Sequence, residues 1–97
     1  MKLKWDDMAK AAVQETARSI QRRFGARSCK ELLSEVRRTE RLLRQNPNLG
    51  PKEPLLEDAT VEYRSIVVNR LNKLVYWING DVIEVVDFWE LRRNPEA

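Results

Sequence analysis

Apolar residues recur along this chain with two different periods, and the change of period divides it in half. From Met8 to Leu43 they return every three or four positions, the spacing of one helix face. From Tyr63 onward they form short dense runs broken by Asn, Gly and Asp, the pattern of strands and turns. Before both lies Lys2 to Trp5, a short alternating piece that predicts an edge strand with Leu3 and Trp5 on one side.

The helical half divides into two elements. Asp6 or Asp7 is suited to cap the first by accepting its orphan amide protons. Met8, Ala12, Ile20 and Phe24, with Val13 and Ala17 beside them, form its apolar stripe. Gly25 ends it, because the residue just past a helix often takes a left-handed conformation that glycine adopts most easily. The Ser28/Glu31 pair has capping-box spacing and predicts the start of a second helix. There Leu32, Leu33, Val36, Leu42 and Leu43 form the apolar stripe, opposite Arg37, Arg38, Arg41 and Arg44. Gln45-Asn46-Pro47 closes it. The break at residues 25–27 is short, so the pair reads as an antiparallel helical hairpin. A loop follows over residues 48–54, then a stretch over 55–60 that is either loop or a single helical turn.

In the second half, Asn79-Gly80 between two apolar runs predicts a tight β-hairpin, since both residues tolerate positive φ. A further run, Tyr63 to Val68, ends in a polar break at Asn69 to Asn72, which makes the whole a three-stranded antiparallel meander. With Asn79 and Gly80 as turn residues, Ile78 faces Asp81. Leu74, Tyr76, Ile78, Ile83 and Val85 then share one face, and Lys73, Val75, Trp77, Val82, Glu84, Val86 and Phe88 the other. Both faces are partly apolar. The helical hairpin covers one; the second is either left for a partner protein or is a shallow rim covered by the chain itself.

Composition narrows the class. The 97 residues make one domain, with 42% hydrophobic and 34% charged residues, as in ordinary globular proteins. The net charge of +3 hides an asymmetry: residues 1–50 carry 12 Lys/Arg against 6 Asp/Glu, residues 51–97 carry 6 against 9. The helical half is therefore the basic one, a pattern shared by solvated helix faces and nucleic-acid-binding surfaces. One cysteine and no histidine argue against an internal disulfide or a structural zinc site and suit a reducing compartment. No apolar run has the length of a signal peptide core or a membrane span, so a soluble, cytoplasmic protein is expected. No cofactor and no small-molecule substrate are expected either.

The segments RLLRQNPNLG (Arg41 to Gly50), EYRSIVVNRLNKLVYWING (Glu62 to Gly80) and VVDFWELRRNP (Val85 to Pro95) carry a further signal. With the element order, and with YRS preceding KLVYWI, they make the chain resemble the RelE/ParE superfamily of toxin-antitoxin toxins along its whole length. The resemblance implies an α+β domain over residues 1–97: an N-terminal edge strand, an antiparallel helical hairpin and a three-stranded antiparallel meander. It also implies the toxin of a type II, plasmid-stabilising module, neutralised by a cognate antitoxin that folds across the sheet and helices; on the alternation above, its expected seat on the second face is Val75, Trp77, Val82, Val86 and Phe88.

Two target classes go with the family. RelE-like members cleave messenger RNA on the ribosome without a metal, using basic residues against the 2′-hydroxyl and the scissile phosphate. The resemblance places Arg64, Lys73, Arg92 and Arg93 in those roles. Ile66, however, stands where nuclease members carry a second strand base, and no His or late Tyr supplies an acid/base group. The close Leu91 to Pro95 is more similar to the ParE group, which binds DNA gyrase, and implies target contacts by Trp89, Arg92 and Arg93. A non-toxic relative that only binds antitoxin is the remaining alternative.

Overall fold

A computed structural model describes residues 1–91 of the chain. Its elements are β1 (Lys2–Trp5), α1 (Asp7–Phe24), α2 (Ala26–Gln45), a 3-10 turn (Pro54–Leu56), β2 (Arg64–Val68), β3 (Asn72–Asn79) and β4 (Val82–Glu90). The strands form one sheet in the order β1-β4-β3-β2. β2, β3 and β4 make the antiparallel meander, and β1 joins its edge parallel to β4, with Leu3 beside Ile83 and Trp5 beside Val85. No described helix is long and apolar enough to cross a membrane.

Asp6 caps α1 through the Met8 amide. The buried stripe of α1 is Ala9, Val13 and Ala17, whose small side chains let the helix lie close on β4. Met8 and Phe24, expected on that stripe, are instead 70% and 65% exposed: Met8 points away from it, and Phe24 is the last residue of the helix. The helices are separated by Gly25 alone (φ 97°), which ends α1 and begins α2. α2 therefore starts two residues before Ser28, no side chain caps it, and the expected Ser28/Glu31 capping box does not form. Its buried residues are Leu32, Val36, Thr39 and Leu43, spaced four, three and four apart. Trp5 Nε1 donates to Glu40 Oε2 at 2.9 Å, tying β1 to α2. The N-terminal ammonium donates to Arg44 O at 3.3 Å, where a helix C-terminus favours a cation.

The hairpin turns one residue later than expected. Asn79 pairs with Val82, so Gly80 and Asp81 are the loop, and only Gly80 needs positive φ (63°). Moving a two-residue turn by one position preserves face parity. Leu74, Tyr76, Ile78, Ile83 and Val85 accordingly do share the helix-covered face. Phe88 does not keep its expected place. Val75 pairs with Asp87 and Tyr76 with Val85, leaving Val86 as an extra, bulged residue on β4. Beyond it the pleat is reversed, so Phe88 pairs with Leu74 and is buried in the core.

The segment after α2 wraps around the β2 edge. Tyr76 Oη, on the helix face, donates to Pro47 O at 2.7 Å and accepts from Gly50 N–H at 3.0 Å. Ser65 N–H then donates to Pro51 O at 3.0 Å and Glu53 N–H to Tyr63 O at 2.9 Å, with Lys52 bridged to Arg64. This carries Glu53 onto the outer face of the sheet, where it is buried.

Candidate functional site

Register separates the two strand cations that the ribonuclease reading brings together. Arg64 pairs with Tyr76 and so belongs to the helix face; Lys73 pairs with Val67 and belongs to the outer face. Each has partners within the chain. The Arg64 guanidinium donates to Gly50 O at 2.7 Å and to Glu62 Oε2 at 3.0 Å. The Lys73 ammonium pairs with Glu53 Oε1 and lies 5.3 Å from the centre of the Trp89 ring.

Glu53 is the residue that sequence reading missed. Oε2 accepts from Leu55 N–H at 2.9 Å, capping the 3-10 turn, while buried Oε1 is paired with the Lys73 ammonium. Burial pushes its pKa up, but the hydrogen bond from Lys73, those from the Leu55 amide and Ser65, and the Lys73 charge together hold it below the usual carboxylate value. In the sequence Glu53 is one acid in a Pro-rich loop, and nothing local marks it as buried. Tyr76 is shifted the other way: burial raises its pKa, only partly offset by the Gly50 amide and the Arg64 charge. It is a neutral, hydrogen-bonded core phenol.

Among the residues expected to receive an antitoxin, Val75 and Phe88 are buried by the chain itself. That corrects their assignment to an open surface: Val75 shares the outer face with Lys73, two residues away, where Glu53 is seated, and it is fully buried, while the bulge turns Phe88 inward. Trp77, Val82 and Val86 remain half-exposed. The larger uncovered apolar surface lies at the other end of the sheet, where Ile20, Phe24, Val67 and Leu71 line a groove of about 820 Å³ between the helical hairpin and the β2–β3 turn. Of the tail, Trp89 is half-buried and its Nε1 donates to Asp87 Oδ2 at 2.8 Å; Arg92 and Arg93 lie outside the described residues. No described group of three or more His, Cys, Asp or Glu could hold a metal ion.

The mixed four-stranded sheet β1-β4-β3-β2, backed on one face by the α1–α2 hairpin, is the fold of RelE/ParE-type toxins. No family model and no curated protein sequence matches the chain significantly, so the likeness is one of structure. A chain from the chromosomal ParDE toxin-antitoxin system of P. aeruginosa superposes with TM-score 0.77 at 17% identity, covering 95% of this chain and 97% of that one. The YoeB dimer of Staphylococcus aureus gives 0.61 at 18% identity, over 96% and 98% of the two chains. A YoeB/ParE toxin from Agrobacterium tumefaciens gives 0.61 at 22%, over 94% and 99%.

Proposed function

We propose that this chain is the toxin of a type II toxin-antitoxin module of the ParE kind, acting in the cytoplasm by binding DNA gyrase and neutralised by a cognate antitoxin. The observation that carries the reading is the separation of Arg64 and Lys73 onto opposite faces, each engaged by an intramolecular carboxylate. A metal-free ribonuclease needs cations converging on one phosphate. Glu53 and Asp87 also make the surroundings of Lys73 partly anionic, a poor place for messenger RNA. On a plasmid, such a module would stabilise its carrier.

Trp89, Arg92 and Arg93 are the target contacts in this reading, and the groove at Phe24, Val67 and Leu71 is the antitoxin's docking surface. The purified chain is expected to inhibit gyrase supercoiling and to leave messenger RNA on programmed ribosomes uncut, read by primer extension. Site-specific cuts in the ribosomal A site that vanish in Arg64→Ala would reverse the choice and make the chain a ribonuclease.

A second expectation concerns the tail. Arg92→Ala with Arg93→Ala should abolish growth arrest while antitoxin affinity stays within about tenfold, roughly 1.4 kcal/mol. Undiminished arrest, with circular dichroism matching the parent, would remove both arginines from the target contact.

A further inference from the structure

The exposed side of α2 is a continuous row of cations that neither the gyrase nor the antitoxin reading uses. At about 100° per residue, Arg27, Lys30, Arg37, Arg38, Arg41 and Arg44 fall within a sector of about 120°. The same geometry centres this sector opposite the buried Leu32, Val36, Thr39 and Leu43. All six cations are exposed, and the sector contains no acid. At about 1.5 Å per residue the row runs for about 25 Å. Of the six, only Arg38 and Arg44 have ion-pair partners among the described residues: Glu35 at 3.5 Å in an exposed pair, and at 3.9 Å a half-buried Glu40 that already accepts from Trp5 Nε1.

We infer that this face of α2 binds the phosphate backbone of duplex DNA, seated at the major groove. Charge complementarity is the first reason: B-DNA presents about one negative charge per 1.7 Å, and a row of cations on a rigid helix meets it without reorganising. The second reason is what the sector lacks. Between the cations lie Ser34 and Gln45 and no large apolar side chain, whereas a docked peptide helix needs apolar anchors. The third is shape. An α-helix fits the major groove of B-DNA, about 12 Å wide, but not the deep, narrow major groove of A-form RNA. No base-reading arrangement is evident in the row, so the binding is independent of sequence. It needs no gyrase, and its failure would leave the proposed target untouched.

The test is fluorescence anisotropy of a labelled mixed-sequence DNA duplex of about 20 bp with the purified chain, over about 50 to 200 mM salt. Binding that weakens steeply with salt is expected. Arg37→Gln with Arg41→Gln should lower the slope of log K against log salt by about 1.8, near 0.9 per lost phosphate contact. Arg27→Gln with Lys30→Gln should do the same, and serves if the first pair perturbs folding. Lys52→Gln with Arg70→Gln, equal in charge change but off the row, should leave the slope unchanged. Absence of binding at low salt, an equal loss in the off-row pair, or affinity as high for an equivalent RNA duplex or a polyglutamate peptide would each overturn the assignment.

Discussion

Replacing Lys73 by methionine is expected to lower stability by about 3 to 5 kcal/mol in urea denaturation near neutral pH, the range found when one partner of a buried ion pair is removed. Methionine keeps most of the side-chain volume, so the loss is chiefly electrostatic. Glu53, 1% exposed, would be left with a charged carboxylate whose Oε1 has no counter-ion. Changing Glu53 to Gln in the same chain should recover part of the loss, because a neutral amide is cheaper to bury than an unpaired charge.

The pH dependence has opposite signs in parent and variant. In the parent, the folded-state pKa of Glu53 lies below its unfolded value, so its stabilisation is present above that unfolded value and is lost as pH falls through the folded one. Without Lys73, burial is opposed only by the Leu55 amide and Ser65, and the pKa should move up. Protonation then relieves the variant at low pH. The stability gap between parent and variant should therefore be widest near neutrality, begin to narrow as pH falls through the variant's raised carboxyl pKa, and go on narrowing until the parent's depressed one is passed. A gap independent of pH would show that Lys73 matters through packing on Trp89 and not through Glu53.

Gly50→Ala is expected to cost about 3 kcal/mol, at the upper end of overpacking effects. A β-carbon there would sit 2.5 Å from Ser65 O and 3.0 Å from Tyr76 Oη. The first is backbone of β2, held by strand pairing, so the loop must give way. Its displacement would break the Gly50 hydrogen bond to Tyr76 and the pairing of residues 51–53 with the β2 edge. Tyr76→Phe is the comparison to measure: it removes the hydroxyl that bonds the Gly50 amide and Pro47 O without adding a clash, and leaving the Gly50 amide unpaired should cost about 1 to 3 kcal/mol. Equal stability of Gly50→Ala and the parent would show that the wrapped segment is not held by this contact.

These two sites illustrate what was legible in advance and what was not. Arg64 and Lys73 stood out as strand cations, and the strands that carry them were readable from their apolar runs. Their relative orientation was not. It depends on how many residues the β2–β3 connection contains, and the polar break at 69–72 left that number open. Val68 pairs with Asn72, so the loop is residues 69–71 and the two cations fall on opposite faces. The Phe88 assignment depended on counting alternation through Val86, where a bulge adds one residue. Nothing in the run VIEVVDFWE marks that position, because a bulge is a property of the pairing between two strands. Glu53 was harder still: its partner Lys73 is 20 positions away and reaches it only after the loop has crossed the sheet edge.

The sequence by itself determined the local elements and the face each presents: two amphipathic helices broken at Gly25, a meander closed near Gly80, and an unmixed basic side of α2. Those features follow from periods of 3.6 and 2 and from the few residues that tolerate positive φ, all properties of neighbouring positions. Only the tertiary structure decided that β1 lies parallel to β4, that residues 46–53 wrap the β2 edge, that Phe88 turns inward and Val75 is covered, and that Lys73 is spent on Glu53. Each of these rests on pairing or burial between residues distant in the chain. Alternation within a segment constrains such contacts without choosing among them, and the choice is made by which arrangement leaves the fewest buried polar groups unpaired.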